Sequence, residues 1–185
     1  MNLFTPNKKK PFLSIQEMAI FSMLGAMMFC SKIVMEALPN IHLCGMLTVV
    51  YTVVFRKRAL IPIYVFVALQ LFYAAITGTI LWSLPYLYIW TVLWAITMLI
   101  PKNIPNKIAA FVYPVLCFLH GILFGVLYAP AQALLFHLNF EQTVAWVAAG
   151  LSFDVVHGIG NLFCGLLVLP LSSLLRKLSL RAGIL

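Results

Sequence analysis

The sequence predicts an all-α integral membrane protein with six transmembrane helices, both termini in the cytoplasm, and loops that roof a cavity on the outer side. Of its 185 residues, 64% are hydrophobic and only 9% are charged, so a soluble domain would lack the polar residues to cover its surface. A spanning helix takes about 20 residues. The chain therefore has room for roughly six spans in one membrane domain, residues 1–185, and for no separate soluble domain.

The first three predicted spans are delimited by proline and by basic residues. The first ends before Pro39, because a residue that precedes proline disfavours the helical conformation. The second ends at the basic run from Arg56 to Arg58, and the third carries Pro62 in its first turn, where proline is tolerated. The expected ranges are residues 14–37, 41–55 and 59–79.

Proline also delimits the later spans. Pro85 opens the fourth. The fifth is expected to bend near Pro114 and to end at Pro130, followed by an amphipathic or irregular connection that holds Gln132. The sixth ends near the basic C-terminal residues. The expected ranges are residues 85–100, 108–128 and 143–175.

The positive charges alternate along these spans. All 12 Lys and Arg residues except Lys32 fall at the N-terminus, after the second span, after the fourth span, or at the end of the sixth. Cytoplasmic loops carry the excess of Lys and Arg, so both termini are expected on the cytoplasmic side of the cell membrane. Topology therefore accounts for the net charge of +8, and nucleic acid is not an expected partner.

Three polar residues share one face of the sixth span. Asp154, His157 and Asn161 stand at i, i+3 and i+7, and an ionisable face inside a bilayer requires a partner, a cavity or a ligand. His120 is expected at the same depth on the fifth span, with Asp154 bonded to His120 or His157. Such a pair is either structural, joining two helices, or the floor of a binding cavity.

Aromatic residues recur from Trp82 to Trp94, just before and along the fourth span. Trp82, Tyr86, Trp90 and Trp94 are spaced four apart, which is typical of an interfacial aromatic belt, a helix-packing stripe or the wall of a ligand cavity. Together with the other polar residues of this half, they give a set of substrate-binding candidates. These are Asn40, His42, Tyr73, Trp82, Tyr86, Trp90, His120, Gln132, Asp154, His157 and Asn161.

The first span has two local features. Ser22, Ala26 and Cys30 form a ridge of small residues, which allows close approach of a helix from this chain or from a separate membrane subunit. Lys32 and Glu36 stand four residues apart and could neutralise one another across one helical turn.

No catalytic residue, metal site or cofactor is predicted. His120, Asp154 and His157 carry side chains that suit a metal ion or an intramembrane enzyme, but no dense ligand motif accompanies them. The sequence also lacks a Gly-x-x-x-x-Gly-Lys-Ser/Thr phosphate loop, so any ATPase that drives the protein must be another chain.

Three stretches carry a resemblance to a known family: Leu38-Pro-Asn-Ile-His-Leu43, Pro85-Tyr-Leu-Tyr-Ile-Trp90 and Phe153-Asp-Val-Val-His-Gly158. With the six spans and the ridge, the chain resembles over almost its whole length a substrate-binding S component of an energy-coupling factor (ECF) transporter, the vitamin-uptake class of ABC importers. The ridge of that family is usually Ala-x-x-x-Ala. It maps here to Ser22 and Ala26, so the serine is a departure.

The resemblance implies substrate capture without catalysis by this chain. An S component binds a vitamin from outside, docks through the Ser22/Ala26 face on a transmembrane coupling subunit that bears two cytoplasmic ATPase subunits, and topples in the bilayer. For the ligand we favour cobalamin, because a large amide-decorated ring suits an aromatic cavity with neutral hydrogen-bonding residues and no basic cluster. A cationic thiamine-like compound or a modified nucleobase also fits. A small intramembrane enzyme and a structural membrane subunit remain as alternatives.

Overall fold

The structure, a computed structural model, describes residues 13–38 and 40–185. In these residues the regular structure is helical and contains no strand, which confirms the predicted all-α class. The helices are α1 (Ile15–Val34), α2 (Cys44–Phe55), α3 (Leu60–Thr77), α4 (Ile80–Ser83), α5 (Tyr86–Leu99), α6 (Asn106–Ile122), α7 (Phe124–Phe136), α8 (Phe140–Gly165) and α9 (Val168–Arg181), with a 3-10 turn (Arg56–Ala59) between α2 and α3.

Polar contacts join the start of α1 to the C-terminal residues at one end of the bundle. Arg58 forms an ion pair with Glu17 of α1 at 2.6 Å and donates to the carbonyl of Ile184 at 3.3 Å. The side chain of Gln16 donates to the carbonyl of Ala182 at 2.9 Å. We call this end of the bundle, which also holds Arg56 to Arg58, the basic end.

The turn between α2 and α3 is fixed at the basic end by Arg56. Its backbone has a positive φ of 55°, a conformation that carries some strain for a residue with a side chain. Its guanidinium donates to the carbonyls of Met98 at 2.7 Å and Ile100 at 3.3 Å, acceptors left free by the end of α5. The side chain thus ties the turn to α5.

By length and composition, five stretches of the described residues could cross a membrane, one of them the 34-residue stretch Cys44–Thr77 that comprises α2 and α3. The length and apolar composition of these helices indicate that the protein is a membrane protein.

Helix α2 lies at the centre of the bundle. Eleven of its 12 residues are buried, because the helix is apolar around its whole circumference. Thr48 and Thr52 donate their hydroxyls to carbonyls four residues earlier, and Tyr51 donates to the carbonyl of Leu24 at 2.9 Å. The polar groups of α2 are thus paired inside the core, as burial requires.

Helix α1 packs on α3 through a face different from the ridge of small residues. Phe21, Gly25 and Met28 are the buried residues of α1. A Cβ atom at Gly25 would lie 2.6 Å from the Cβ of Val65, so only glycine permits this approach. Ser22 is exposed and Ala26 is half-buried.

The structure corrects the ends of the predicted first span. Helix α1 ends at Val34 rather than at residue 37, with Met35 as its C-cap. Glu36 therefore lies beyond the helix, and the prediction that it pairs with Lys32 across one helical turn is wrong. Glu36 instead accepts a hydrogen bond from Tyr73 at 3.4 Å.

The fifth span is also corrected. It is interrupted at Leu123, between α6 and α7, and Pro114 lies inside α6. Helix α7 continues through Pro130 to Phe136, so the prediction that this proline ends the helix is wrong. Gln132, expected in an irregular connection, is a buried residue of α7.

The remaining boundaries shift by smaller amounts. The second span begins at Cys44 rather than at residue 41, and the third ends at Thr77 rather than at residue 79. The short helix α4 precedes the fourth span. The sixth is divided at residues 166–167 into α8 and α9.

Candidate functional site

A cavity of about 560 Å³ opens at the end of the bundle opposite the basic end. Its walls come from the connector between α1 and α2, from α4 and α5, from the junction of α6 and α7, and from α8. Clefts that enclose a small organic molecule have volumes of about 300–1,000 Å³. The cavity is therefore the candidate ligand site.

Six of the predicted substrate-binding residues line this cavity, namely Asn40, His42, Trp82, Tyr86, Asp154 and His157. The other five lie outside the lining. Trp90, His120 and Asn161 are buried elsewhere in the bundle, Tyr73 contacts Glu36 from α3, and Gln132 is buried in α7. The structure thus brings six of the eleven predicted residues to one cavity and leaves the other five outside its lining.

Aromatic rings form one wall of the cavity. The ring of Tyr128 lies 5.0 Å from that of Phe124 and 6.3 Å from that of Tyr86, measured between centroids. The hydroxyl of Tyr128 donates to the carbonyl of Trp82 at 2.8 Å, which fixes α4 against α7. Such a wall offers flat apolar surfaces to a ring-bearing ligand.

The break between α6 and α7 is stabilised from α8. Gly125 is the second residue of α7, and its backbone N–H has no partner within that helix because it lies in the first turn. Both carboxylate oxygens of Asp154 lie 3.1 Å from this nitrogen, and a negative charge at a helix N-terminus is favourable. The prediction that Asp154 bonds to His120 or His157 is therefore wrong.

Glycines bring α6 and α8 into close contact below the cavity. A Cβ atom at Gly121 would lie 2.7 Å from the Cα of Gly158 and 2.9 Å from the side-chain nitrogen of Asn161. At Gly165, a Cβ atom would lie 2.6 Å from the Cα of Pro114. His120 of α6 and His157 of α8 both lie close to the ring of Phe124.

Three histidines surround Phe124, and two of them, His42 and His157, line the floor of the cavity. The ring of His157 lies 4.5 Å from that of Phe124 and 4.8 Å from that of His42. The ring of His120 lies 5.7 Å from Trp90 and 5.8 Å from Phe124. We call His42, His120 and His157 the histidine cluster.

The histidine cluster holds polar atoms without partners. Within the described part of the chain, Nδ1 of His42, Nε2 of His157 and both ring nitrogens of His120 are enclosed and make no hydrogen bond. An unpaired buried polar group costs about 1–3 kcal/mol, so a native structure retains it for a reason. Since His42 and His157 line the cavity, a ligand with hydrogen-bonding groups could satisfy them.

His42, in the connector before α2, is held in its neutral form. Burial lowers the pKa of its imidazole well below the usual range, and electrostatic coupling to His157 and Lys32 lowers it further. At neutral pH the ring therefore offers one donor and one acceptor and carries no positive charge.

The cavity has charged groups of both signs. Glu36 and Asp154 line it together with Lys32. The lining residues of the described chain include one basic and two acidic side chains. A ligand that bears a cationic group fits this balance better than an anionic one.

The predicted set of substrate-binding residues omits part of the lining. Trp146, Gly150 and Phe153 belong to it, and they share the face of α8 that holds Asp154 and His157. Their spacing could have placed them there. Phe124, at the centre of the floor, lies in an apolar run that contains no signal to distinguish it.

The cavity residues do not form a metal centre. No group of three or more His, Cys, Asp or Glu side chains in residues 13–38 and 40–185 is arranged to hold a metal ion. Asp154 is directed to a backbone N–H group rather than toward the histidine cluster.

Comparison with protein-family models, with curated proteins and with solved structures found no match for the chain.

Proposed function

We propose that the chain is the membrane-embedded substrate-capture subunit of a vitamin importer of the ECF type, and that the cavity of about 560 Å³ is its ligand site. The observation that carries this proposal is the combination of an aromatic wall with unpartnered, buried imidazole nitrogens at the floor. Such a constellation favours binding of a ring with hydrogen-bonding substituents.

The proposal includes six spans, with both termini and the basic end on the cytoplasmic side of the cell membrane. The positive-inside rule supports this orientation, as does the meeting of α1 and the C-terminal residues through the bond from Gln16 to Ala182. The cavity then faces outward, where a scarce nutrient is encountered. Helix α2 has only 12 residues, about 18 Å at 1.5 Å per residue, and is therefore shorter than the hydrocarbon core of a bilayer, which is about 30 Å thick.

In this proposal the chain binds and does not catalyse. A transmembrane coupling subunit with two cytoplasmic ATPase subunits supplies the driving force, and the exposed face of Ser22 and Ala26 is the docking surface. Small residues there allow a partner helix to approach closely. The burial of Phe21 and Gly25 against α3 leaves this face open to a partner.

The ligand must fit the dimensions and charge of the cavity. Cobalamin remains a prediction of the sequence, but a corrinoid is larger than a drug-sized molecule and would protrude from a cavity of this volume. A thiamine-like cation or a nucleobase-like ring fits inside. The carboxylates of Glu36 and Asp154 and the aromatic wall favour a cationic ring.

Identification of a co-purified ligand tests the proposal. The full chain is expressed, purified in detergent, and denatured, and the released small molecules are identified by mass spectrometry. We expect one ring-bearing micronutrient at a stoichiometry near one. His157→Ala should lower its occupancy about tenfold, the loss expected for one buried hydrogen bond with its packing.

A matched variant keeps this experiment decisive. His137 lies at the C-terminus of α7, is exposed, and does not line the cavity, so His137→Asn should retain full occupancy. Absence of any bound small molecule in both the wild type and His137→Asn, after purification from medium rich in vitamins, would defeat the proposal. Conversion of an added lipid or peptide by the purified chain would favour an intramembrane enzyme instead.

A further inference from the structure

A second cavity lies at the basic end, remote from the candidate ligand site. Its volume is about 180 Å³, or roughly six water molecules at about 30 Å³ each. It is formed by the connector before α6, the first two turns of α6, and α9. We call it the basic pocket, and its polar lining residues are Lys102, Asn106, Tyr113, Ser172, Ser173 and Arg176.

The basic pocket has an uncompensated positive charge. Lys102 and Arg176 line it, and none of its lining residues in the described chain is acidic. The acidic residue known at this end, Glu17, is already paired with Arg58 at 2.6 Å. The electrostatic potential in the pocket therefore favours an anion.

The N-terminus of α6 contributes to the same pocket. Asn106 is the first residue of this 17-residue helix, and Pro105 before it provides no side-chain cap. The N–H groups of the first turn lack partners within the helix, and no acidic residue occupies that turn. Such a terminus attracts phosphate and other anions.

A buried hydroxyl without a partner is the independent sign that a ligand belongs here. Ser172 is only 5% exposed, and in the described residues its Oγ makes no hydrogen bond. Thr48, Thr52 and Thr97, by contrast, donate their hydroxyls to carbonyls four residues earlier. Ser172 instead lines the basic pocket, and its hydroxyl group has no hydrogen-bond acceptor among the described residues.

We propose that the basic pocket binds a phosphoryl group, as a phosphate mono- or diester. Arg176 can bind two phosphate oxygens at once and Lys102 supplies a point charge, while Ser172 and the N–H groups of α6 donate further hydrogen bonds. The pocket lies at the end of long apolar helices and its lining includes Val53, Ile104 and Leu169. The headgroup of an anionic phospholipid is the phosphate ester that reaches such a position.

Native mass spectrometry of the purified full chain tests this inference. The chain in detergent is titrated with phosphatidylglycerol and, separately, with phosphatidylcholine, and the fraction that carries one lipid is measured. We expect a phosphatidylglycerol adduct that Lys102→Gln or Arg176→Gln weakens about tenfold, the loss of one charge-assisted hydrogen bond. Ser172→Ala should weaken it less while leaving the melting temperature unchanged or higher, because it removes an unpaired buried hydroxyl.

Lys177→Gln is the matched control. Lys177 is exposed and adjacent to Arg176 on α9, but it does not line the basic pocket, so its replacement removes the same charge and should change adduct formation by no more than about twofold. Equal weakening by Lys177→Gln and Arg176→Gln would mean diffuse attraction and would overturn the proposal. So would equal retention of phosphatidylcholine and phosphatidylglycerol by the wild type.

A separate arm distinguishes the source of the phosphoryl group. Inorganic phosphate is added to the detergent-solubilised chain in a sulfate-free buffer. The melting temperature is compared with that in the same buffer without phosphate. If phosphate stabilises the wild type but not Arg176→Gln, and no lipid adduct forms, the pocket binds a soluble phosphate ester and the lipid assignment is wrong. If neither probe binds, the basic pocket is not a phosphoryl site.

Discussion

The carboxylate of Asp154 on α8 contacts the backbone N–H of Gly125, the second residue of α7, with both oxygens 3.1 Å from the nitrogen. This contact joins a polar residue of the cavity wall to the helix break at Leu123. It gives Asp154 a structural role in addition to its position in the lining. The same residue thereby links the shape of the cavity to the stability of the bundle.

Replacement of Asp154 should destabilise the protein. Asp154→Asn keeps the size of the side chain but removes the negative charge at the N-terminus of α7, and we expect a loss of about 1–2 kcal/mol. Thermal unfolding in detergent measures it. Glu141→Gln, at the exposed first turn of α8, is the control and should have a much smaller effect. Equal melting temperatures for Asp154→Asn and the wild type would show that the contact contributes nothing.

A pair of glycine variants tests the close contact of α6 with α8. Gly121→Ala places a Cβ atom 2.7 Å from the backbone Cα of Gly158, which cannot move without separating the helices, so we expect a loss of about 1–3 kcal/mol. Gly150→Ala meets no atom within 4 Å and should stabilise α8 by up to about 1 kcal/mol. The two melting temperatures should therefore shift in opposite directions; a shift in the same direction would contradict the packing described.

The neutral state of His42 predicts a pH dependence of stability. In the unfolded chain a histidine has a pKa of about 6.5, whereas burial lowers the pKa of His42 in the folded protein well below that value. Between the two pKa values the unfolded state binds more protons. Stability is therefore retained above about pH 6.5 and decreases on acidification, by up to about 1.4 kcal/mol per pH unit for this group.

The measurement compares melting temperatures of wild type and His42→Gln from neutral to mildly acidic pH. The variant should show a shallower decrease, since it lacks the titrating imidazole. Asn40→Gly alters the same connector at a position of positive φ, 57°, without removing a titrating group, and should retain the slope of the wild type. An unchanged slope in His42→Gln would mean that His42 does not titrate with folding.

Several features of the site could be predicted from the sequence because they depend on local periodicity. The spacing of Asp154, His157 and Asn161 places all three on the buried face of α8, and the apolar runs predicted the helices. The break at Leu123 could not be predicted, because its stabilising partner, Asp154, lies 31 residues further along the chain. The end of α1 at Val34 likewise left Glu36 free to contact Tyr73, a pairing with no local signal.

The position of the histidine cluster could not be predicted from the sequence for the same reason. His42 precedes α2, and nothing in the sequence places its ring 4.8 Å from that of His157. Their proximity follows from the packing of the connector before α2 on α8, where a Cβ atom at Gly160 would lie 3.2 Å from the side chain of Ile41. The sequence therefore identified the residue types of the site, whereas helix packing decided which of them face the cavity.

The exposed face of α1 gives the last prediction, which rests on the proposed importer function. Ser22→Trp and Ala26→Trp add bulk to a face that no helix of the described chain covers closely, so the bundle should fold and bind its ligand normally. Assembly with the coupling subunit and its ATPases should be lost, because close helix approach requires small residues. Co-purification of the subunits and ligand occupancy are measured on the same samples.

Two further variants of α1 separate docking from folding. Met23→Trp changes a side chain that is 71% exposed on a neighbouring face and should leave assembly intact. Gly25→Leu introduces a side chain where a Cβ atom alone would lie 2.6 Å from Val65, so it should destabilise the chain itself. Loss of ligand occupancy in Ser22→Trp or Ala26→Trp would place these residues in the intramolecular packing of α1, whereas loss of assembly alone would assign them to the docking surface.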